Sequence, residues 1–333
     1  MKIEKQKPID VIANRPKVVL IGNGLLLSSY AKGTANKGKN KRWIEHIFDI
    51  GERVLTDEDV VKYKDVPYSI LATAITPIED TKRRKNYAKS FDTIVLREKS
   101  LLERLLSLPF DVILTTNYTY EIENIFKPNY SQLVDKSEYA VKTKVIKSES
   151  DNGDKGEAKS IIKRDIRLLY TYNNVKENLP IWHLHGECRN KSSLVLTHDE
   201  YSKLICDIIN HNKQRANAYE KYINNLIFES WVDYLIMGDV YVIGQGLSFS
   251  EFDLWWILNR KAREVADSGK LYFFTPKNKS QLEQEMLTLL NHDKGNKFIV
   301  KHLDVEINNE TCEKDYEAFY DKAIIEIEKI LNK

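Results

Sequence analysis

The stretch DVILTTNYTYEIEN, residues 111–124, decides how the fold is read. Val112, Ile113 and Leu114 form an apolar run without polar alternation, the pattern of a strand covered on both faces, as in a parallel sheet. The run stops at Thr115, Thr116 and Asn117 and resumes with helical spacing, giving a strand, a polar turn and a helix. Asn117 has two readings there. Its side-chain oxygen could cap the helix that follows, or its amide could face a ligand beyond the carboxyl end of the strand.

The same unit recurs along the chain. KVVLIG (17–22), IWHLH (181–185), VYVIG (240–244), LYFF (271–274) and KFIV (297–300) are further strand candidates, separated by helical patterns. Six strands alternating with helices predict an α/β protein with a Rossmann-like, doubly wound, mostly parallel six-stranded sheet. Between the first two strands, RWIEHIFDIGERVL and the stretch from Lys82 to Leu106 exceed one crossover helix, which predicts a helical insert over about 40–107. Polar KSESDNGDKGEAKS (147–160) marks a second, mobile insert over about 130–175, with IRLLYTYN (166–173) pairing with residues 139–146 as a local hairpin. The core domain then spans 13–305, and residues 306–333 form a C-terminal helix on the core or at an oligomer interface.

Composition narrows the function. Lys and Arg total 51 against 49 Asp and Glu, so no global basic field argues for nucleic acid. The opening MKIEKQKPID lacks the apolar core of a signal peptide, and no apolar run approaches the ~18 residues of a membrane span. A cytoplasmic protein without a membrane partner is expected. Cys188, Cys206 and Cys312 have no CxxC spacing, so no all-cysteine zinc ribbon, metal site or disulfide framework is expected.

Four segments fall just after strand carboxyl ends, the edge where open α/β sheets bind ligands. VVLIGNG offers Gly22, Asn23 and Gly24 at a turn where a phosphate could approach the backbone and a helix N-terminus, although the third glycine of GxGxxG is missing. TTNY offers Thr116, Asn117 and Tyr118. IWHLHGECRN offers His185 before Gly186, with strand alternation placing His183 and His185 on one face. IGQGLSFSEFDLWW offers Gly244, Gly246 and Ser248, followed by a helix whose Phe252, Trp255, Trp256 and Asn259 read as a core stripe.

In that order, Gly-x-Gly, T-x-N, His-Gly and Gly-x-Gly with a serine resemble the NAD-binding core of the sirtuins. TTNY, HLHG, LVLTHDEY (194–201) and IGQGLSFSEFDLWW more closely resemble the sirtuin-like NAD-hydrolase domains of bacterial anti-phage, abortive-infection proteins, over about residues 17–275. The resemblance implies Asn117 and His185 as catalytic residues, with Gly22, Asn23, Gly24, Thr116, Tyr118, Gly244, Gly246 and Ser248 around NAD. It implies an NAD⁺ glycohydrolase that releases nicotinamide and ADP-ribose. Alternatives are a non-catalytic nucleotide-sensing module and an NAD-dependent deacylase or ADP-ribosyl transferase; the absent CxxC pairs count against the deacylase. Family members often carry aspartate after TTNY where this chain has Thr119, so a carboxylate acting on the ribose must come from elsewhere.

Replacing Asn117 or His185 by alanine is expected to abolish cleavage without unfolding. The helical insert and C-terminal helix suggest a homo-oligomer, and the related defence proteins suggest a separate sensor partner, a helicase or translocase ATPase or an Argonaute-like protein. The basic run KGTANKGKNKR (32–42) is a candidate lid over the phosphates.

Overall fold

A computed structural model describes residues 8–27, 43–77, 79, 82–83, 85–86, 100–128, 130, 173–176, 179–188, 193–278, 282–291, 296–308 and 312–333. The candidate lid at 32–42 and the expected hairpin between 139–146 and 166–173, Asn173 excepted, lie outside these residues, as does nearly all of the 130–175 insert.

Strands β1 (Lys17–Ile21), β2 (Val112–Thr115), β3 (Asn173–Lys176), β4 (Leu179–His183), β5 (Asp239–Ile243), β6 (Leu271–Pro276) and β7 (Phe298–Leu303) form one sheet in the order β3-β4-β2-β1-β5-β6-β7. All six expected strands are present and mutually parallel, and β3 adds an antiparallel edge beside β4. The doubly wound expectation therefore holds with one more strand than the apolar runs showed. β3 reads NNVK, too polar and too short to stand out as a buried run.

Burial on both faces explains the apolar runs. In β1, Val18 and Leu20 enter one core while Val19 and Ile21 enter the other; Leu114 and Ile113 of β2 divide the same way. The first core is covered by α7 (His198–Lys221), α8 (Trp231–Met237) and α9 (Phe252–Arg263). The second is covered by α5 (Ser100–Ser107), α6 (Glu121–Phe126) and α11 (Cys312–Leu331), which seats Phe319, Ala323, Ile324 and Ile327 on the sheet. Besides α1 (Asn23–Leu27) after β1, α10 (Leu282–Leu289) links β6 to β7.

Buried polar groups fasten the first layer. Asp233 of α8 accepts from Tyr219 Oη at 2.6 Å and His211 Nε2 at 3.1 Å, tying α8 to α7. Lys261 Nζ of α9 donates to the carbonyls of Leu235, Ile236 and Gly238 at 2.9–3.0 Å at the carboxyl end of α8, while burial pulls its pKa well below the usual lysine value.

The segment between β1 and β2 contains α2 (Trp43–Ile50), α3 (Asp57–Tyr63) and α4 (Tyr68–Ile75). Ile44, Ile47, Phe48, Leu71 and Ala72 pack with Tyr118, Tyr120, Leu194 and Leu196 in a third apolar cluster. That cluster lies against the loops leaving β2 and β4, so it roofs the carboxyl edge of the sheet. Among the described residues, no helix is long and apolar enough to cross a membrane.

Candidate functional site

Parallel pairing brings the four turns together, because β1, β2, β4 and β5 all end at the same edge. A cavity of about 290 Å³ opens there, at the lower end of the ~300–1,000 Å³ range of ligand sites. Every site residue expected from sequence lines it except Gly22. A Cβ on Gly22 would meet Gly244 O at 2.4 Å, and one on Gly244, at φ +70°, would meet Leu25 N at 2.4 Å. Gly22 is thus required for the β1 and β5 turns to pack on each other, whereas Asn23 and Gly24 reach the cavity. Gly246 has open space where a Cβ would stand, and Ser248 pairs with Ser250 through their hydroxyls at 2.9 Å at the rim.

The two threonines divide the work at the end of β2. Thr115 Oγ1 donates to Ile21 O at 2.9 Å and accepts the Asn117 N–H at 3.1 Å, which pins the turn. Thr116 and Asn117 are thereby left on the cavity wall. Asn117 is not a helix cap: α6 begins at Glu121, with Tyr120 as its N-cap residue. Among the described residues, the buried Asn117 Nδ2 has no hydrogen-bond partner, an arrangement that costs stability unless a ligand or water supplies an acceptor. Tyr118 is a wall: its hydroxyl donates to Val195 O at 2.7 Å and its ring stacks on Trp43 with centroids 5.6 Å apart.

His183 and His185 do not share a face. β4 ends at His183, and the chain turns through residues 184–185 to Gly186 at φ +90°, so strand alternation stops before His185. Gly186 is demanded by its positive φ and by Ser193 O, which a Cβ would meet at 2.2 Å. His183 lies beneath the site: Nδ1 donates to Asn117 O at 2.6 Å, and Nε2 sits 2.7 Å from Glu123 Oε1. Burial opposes the charged imidazole, but Glu123 and Glu187 outweigh it and raise the His183 pKa to about 9. A locked imidazolium of this kind holds the Asn117 backbone in place and has no free lone pair.

His185 turns to the other layer. Its Nε2 lies 3.0 Å from Asp253 Oδ2 on α9, and its ring meets Tyr201 edge-on at 5.2 Å. Burial disfavours the imidazolium, yet Asp253, aided by Glu251, holds the pKa above the ordinary histidine value. With Nε2–H given to Asp253, Nδ1 is the nitrogen left to exchange a proton. Tyr201 comes from LVLTHDEY, whose Glu200 carboxylate accepts the N–H groups of Leu196 and Thr197 at 2.8 and 2.9 Å and so starts α7 beside the site.

The β5 turn carries residues that sequence reading missed. Gln245 Oε1 accepts the Gly246 N–H at 2.9 Å, which leaves Nε2 to bridge Thr116 Oγ1 at 3.2 Å and Glu251 Oε1 at 2.7 Å. Leu247 stands at φ +51°, and its carbonyl is held by Trp255 Nε1 at 2.9 Å. Burial pushes the Glu251 carboxyl up to about 7, with His185 opposing. Trp255 is core as expected, but Phe252 is 38% exposed and lies outside the expected core stripe.

A family model for the SIR2-like domain matches residues 111–299, more than half of the chain. The chain belongs to the SIR2-like family. The family comprises NAD-dependent enzymes, so membership gives this SIR2-like chain an NAD-related activity in general. The matched span covers three of the four turns, those after β2, β4 and β5. No curated protein matches the chain. Among the described residues, no group of three or more His, Cys, Asp or Glu could hold a metal ion.

Proposed function

We propose that the chain is an NAD⁺ glycohydrolase. The observation that carries this reading is the meeting, in one cavity, of Asn117 with an unpartnered amide and His185 oriented by Asp253. The glycine turns after β1 and β5 fit the phosphates, since Gly24 and Gly246 bring backbone to the cavity. Nicotinamide leaves as a neutral base when the bond from its ring nitrogen to ribose C1′ breaks, the electron pair staying with nitrogen. The ribose is then oxocarbenium-like at C1′, and water adds there. Asn117 positions the ribose or that water, and His185 Nδ1 takes the proton that water loses. The products are nicotinamide, ADP-ribose and one proton. Orientation and preorganised polar groups account for most of the acceleration, because the leaving group needs no strong acid.

The test is nicotinamide release from NAD by the purified chain, followed against pH. Only neutral His185 accepts a proton, and Asp253 and Glu251 both hold its pKa up. Turnover is therefore expected to rise with pH, with an acid limb above the ordinary histidine pKa of ~6.5. No release under any condition would contradict the reading; a rate that falls between pH 6 and pH 8 would exclude His185 as the base.

We further propose that NAD depletion serves anti-phage defence and that assembly, alone or with a separate sensor, controls it. Support comes from the TTNY, HLHG, LVLTHDEY and IGQGLSFSEFDLWW segments and from a site roofed by helices beyond the sheet. Light scattering across protein concentration, run beside the nicotinamide assay, is expected to show turnover tracking assembly. Full turnover by a strict monomer without additions would refute this control.

A further inference from the structure

We infer that Glu251 is the carboxylate that receives the hydroxyls of the nicotinamide-side ribose of NAD, an inference that rests on the glycohydrolase reading. The chain has Thr119 where the resembling family often has aspartate, and Thr119 lines the cavity without supplying charge. Among the described lining residues, Glu251 is the one carboxylate.

Its two oxygens are unlike. Oε1 accepts from Gln245 Nε2 at 2.7 Å, whereas Oε2 is buried and has no hydrogen-bond partner among the described residues. A carboxylate oxygen buried without a donor is costly, and burial, with the Asp253 charge adding to it, raises the Glu251 carboxyl pKa to about 7. Sugar hydroxyls are donors of the kind it lacks. The side chain is also braced: Gln245, fixed by the Gly246 N–H, ties Glu251 to Thr116, the neighbour of Asn117. Glu251 stands two residues before Asp253, whose Oδ2 lies 3.0 Å from His185 Nε2, and Glu251 and His185 both line this end of the cavity. That end is where the reading puts C1′. The adenosine ribose would stand a diphosphate away. A carboxylate beside the reacting ribose binds its hydroxyls and opposes the positive charge that grows as nicotinamide leaves.

Glu251→Gln tests this role, because the amide oxygen still accepts from Gln245 while an NH₂ donor replaces the accepting Oε2 and the charge is lost. Calorimetry at pH 8 would compare two probes on the full chain. One is carba-NAD, whose methylene in place of the ribose ring oxygen prevents cleavage; the other is ADP, which lacks the second ribose. Relative to the unsubstituted chain, Glu251→Gln is expected to bind carba-NAD about tenfold more weakly and ADP equally. The rate of nicotinamide release at saturation should fall as well. Unchanged affinity for carba-NAD would overturn the inference, as would an equal loss for both probes, which would place Glu251 at the phosphates or in the fold. If the unsubstituted chain binds neither probe and releases no nicotinamide, the glycohydrolase reading fails and takes this inference with it. Glu251 precedes α9, so melting of the variant is measured first. Should Glu251→Gln not fold, Glu251→Asp serves instead: it keeps the charge but withdraws the carboxylate, and the same selective loss is expected.

Discussion

Asn117→Ala is expected to cut nicotinamide release from NAD by about 10²–10⁴-fold, the range for losing one positioned catalytic group, without lowering the melting temperature. The second half of that expectation comes from the turn. Thr115 and His183 hold the Asn117 backbone through its N–H and carbonyl, and the buried Nδ2 has no partner among the described residues. Removing a buried polar group that has no partner relieves a desolvation cost instead of breaking a bond. His185→Ala should lose as much activity, but the sequence-based expectation that it leaves the fold intact needs revision. It would strand the buried Asp253 carboxylate, whose Oδ1 already lacks a partner, and breaking a buried pair from one side costs about 3–5 kcal/mol. His185→Gln, which can return an N–H donor toward Asp253, is the better probe of chemistry. His183→Ala is the control: it removes the brace under Asn117 and the Nε2 contact of the buried Glu123 carboxylate, so stability should fall with activity. Steady-state release beside thermal melting checks all three. Near-normal turnover in Asn117→Ala would remove that residue from the mechanism.

What was legible in the sequence is what burial writes into composition. VVLI and VYVI are apolar throughout because both faces of β1 and β5 are covered, and each run stops where the sheet meets the cavity. Positive φ and close backbone contact make glycine obligatory at Gly186 and Gly244, so both turns carry a visible mark. Long-range pairing leaves no such mark. Asp253 lies 68 residues from His185, and nothing in FSEFDLWW distinguishes that aspartate from one at any helix start. Gln245 and Glu251 pass as turn residues until their hydrogen bonds are seen. The error over His183 and His185 has the same origin: alternation is a rule for strands, and the strand had ended.

Asp253→Asn is expected to lower turnover by about 10²-fold or more and to move the acid limb of the pH–rate profile to lower pH. The amide oxygen can still accept the His185 Nε2–H, so the ring need not move. The charge is what disappears. In the folded chain, burial pulls the His185 pKa down and the two carboxylates, Asp253 foremost, more than restore it. With Asp253 neutral, burial faces Glu251 alone, so His185 stays unprotonated to lower pH. More of the enzyme then carries a neutral base at pH 6, yet each molecule works more slowly. The imidazolium that forms when water gives up its proton has lost its nearest counter-charge, and an asparagine that turns its NH₂ toward Nε2 would fix the wrong tautomer. A merely structural Asp253 predicts a different pattern, with stability reduced and the limb where it was. The pH dependence of kcat, measured from pH 5 to pH 9 on folded protein, separates the two. A limb that stays in place with full turnover would show that His185 draws nothing from Asp253.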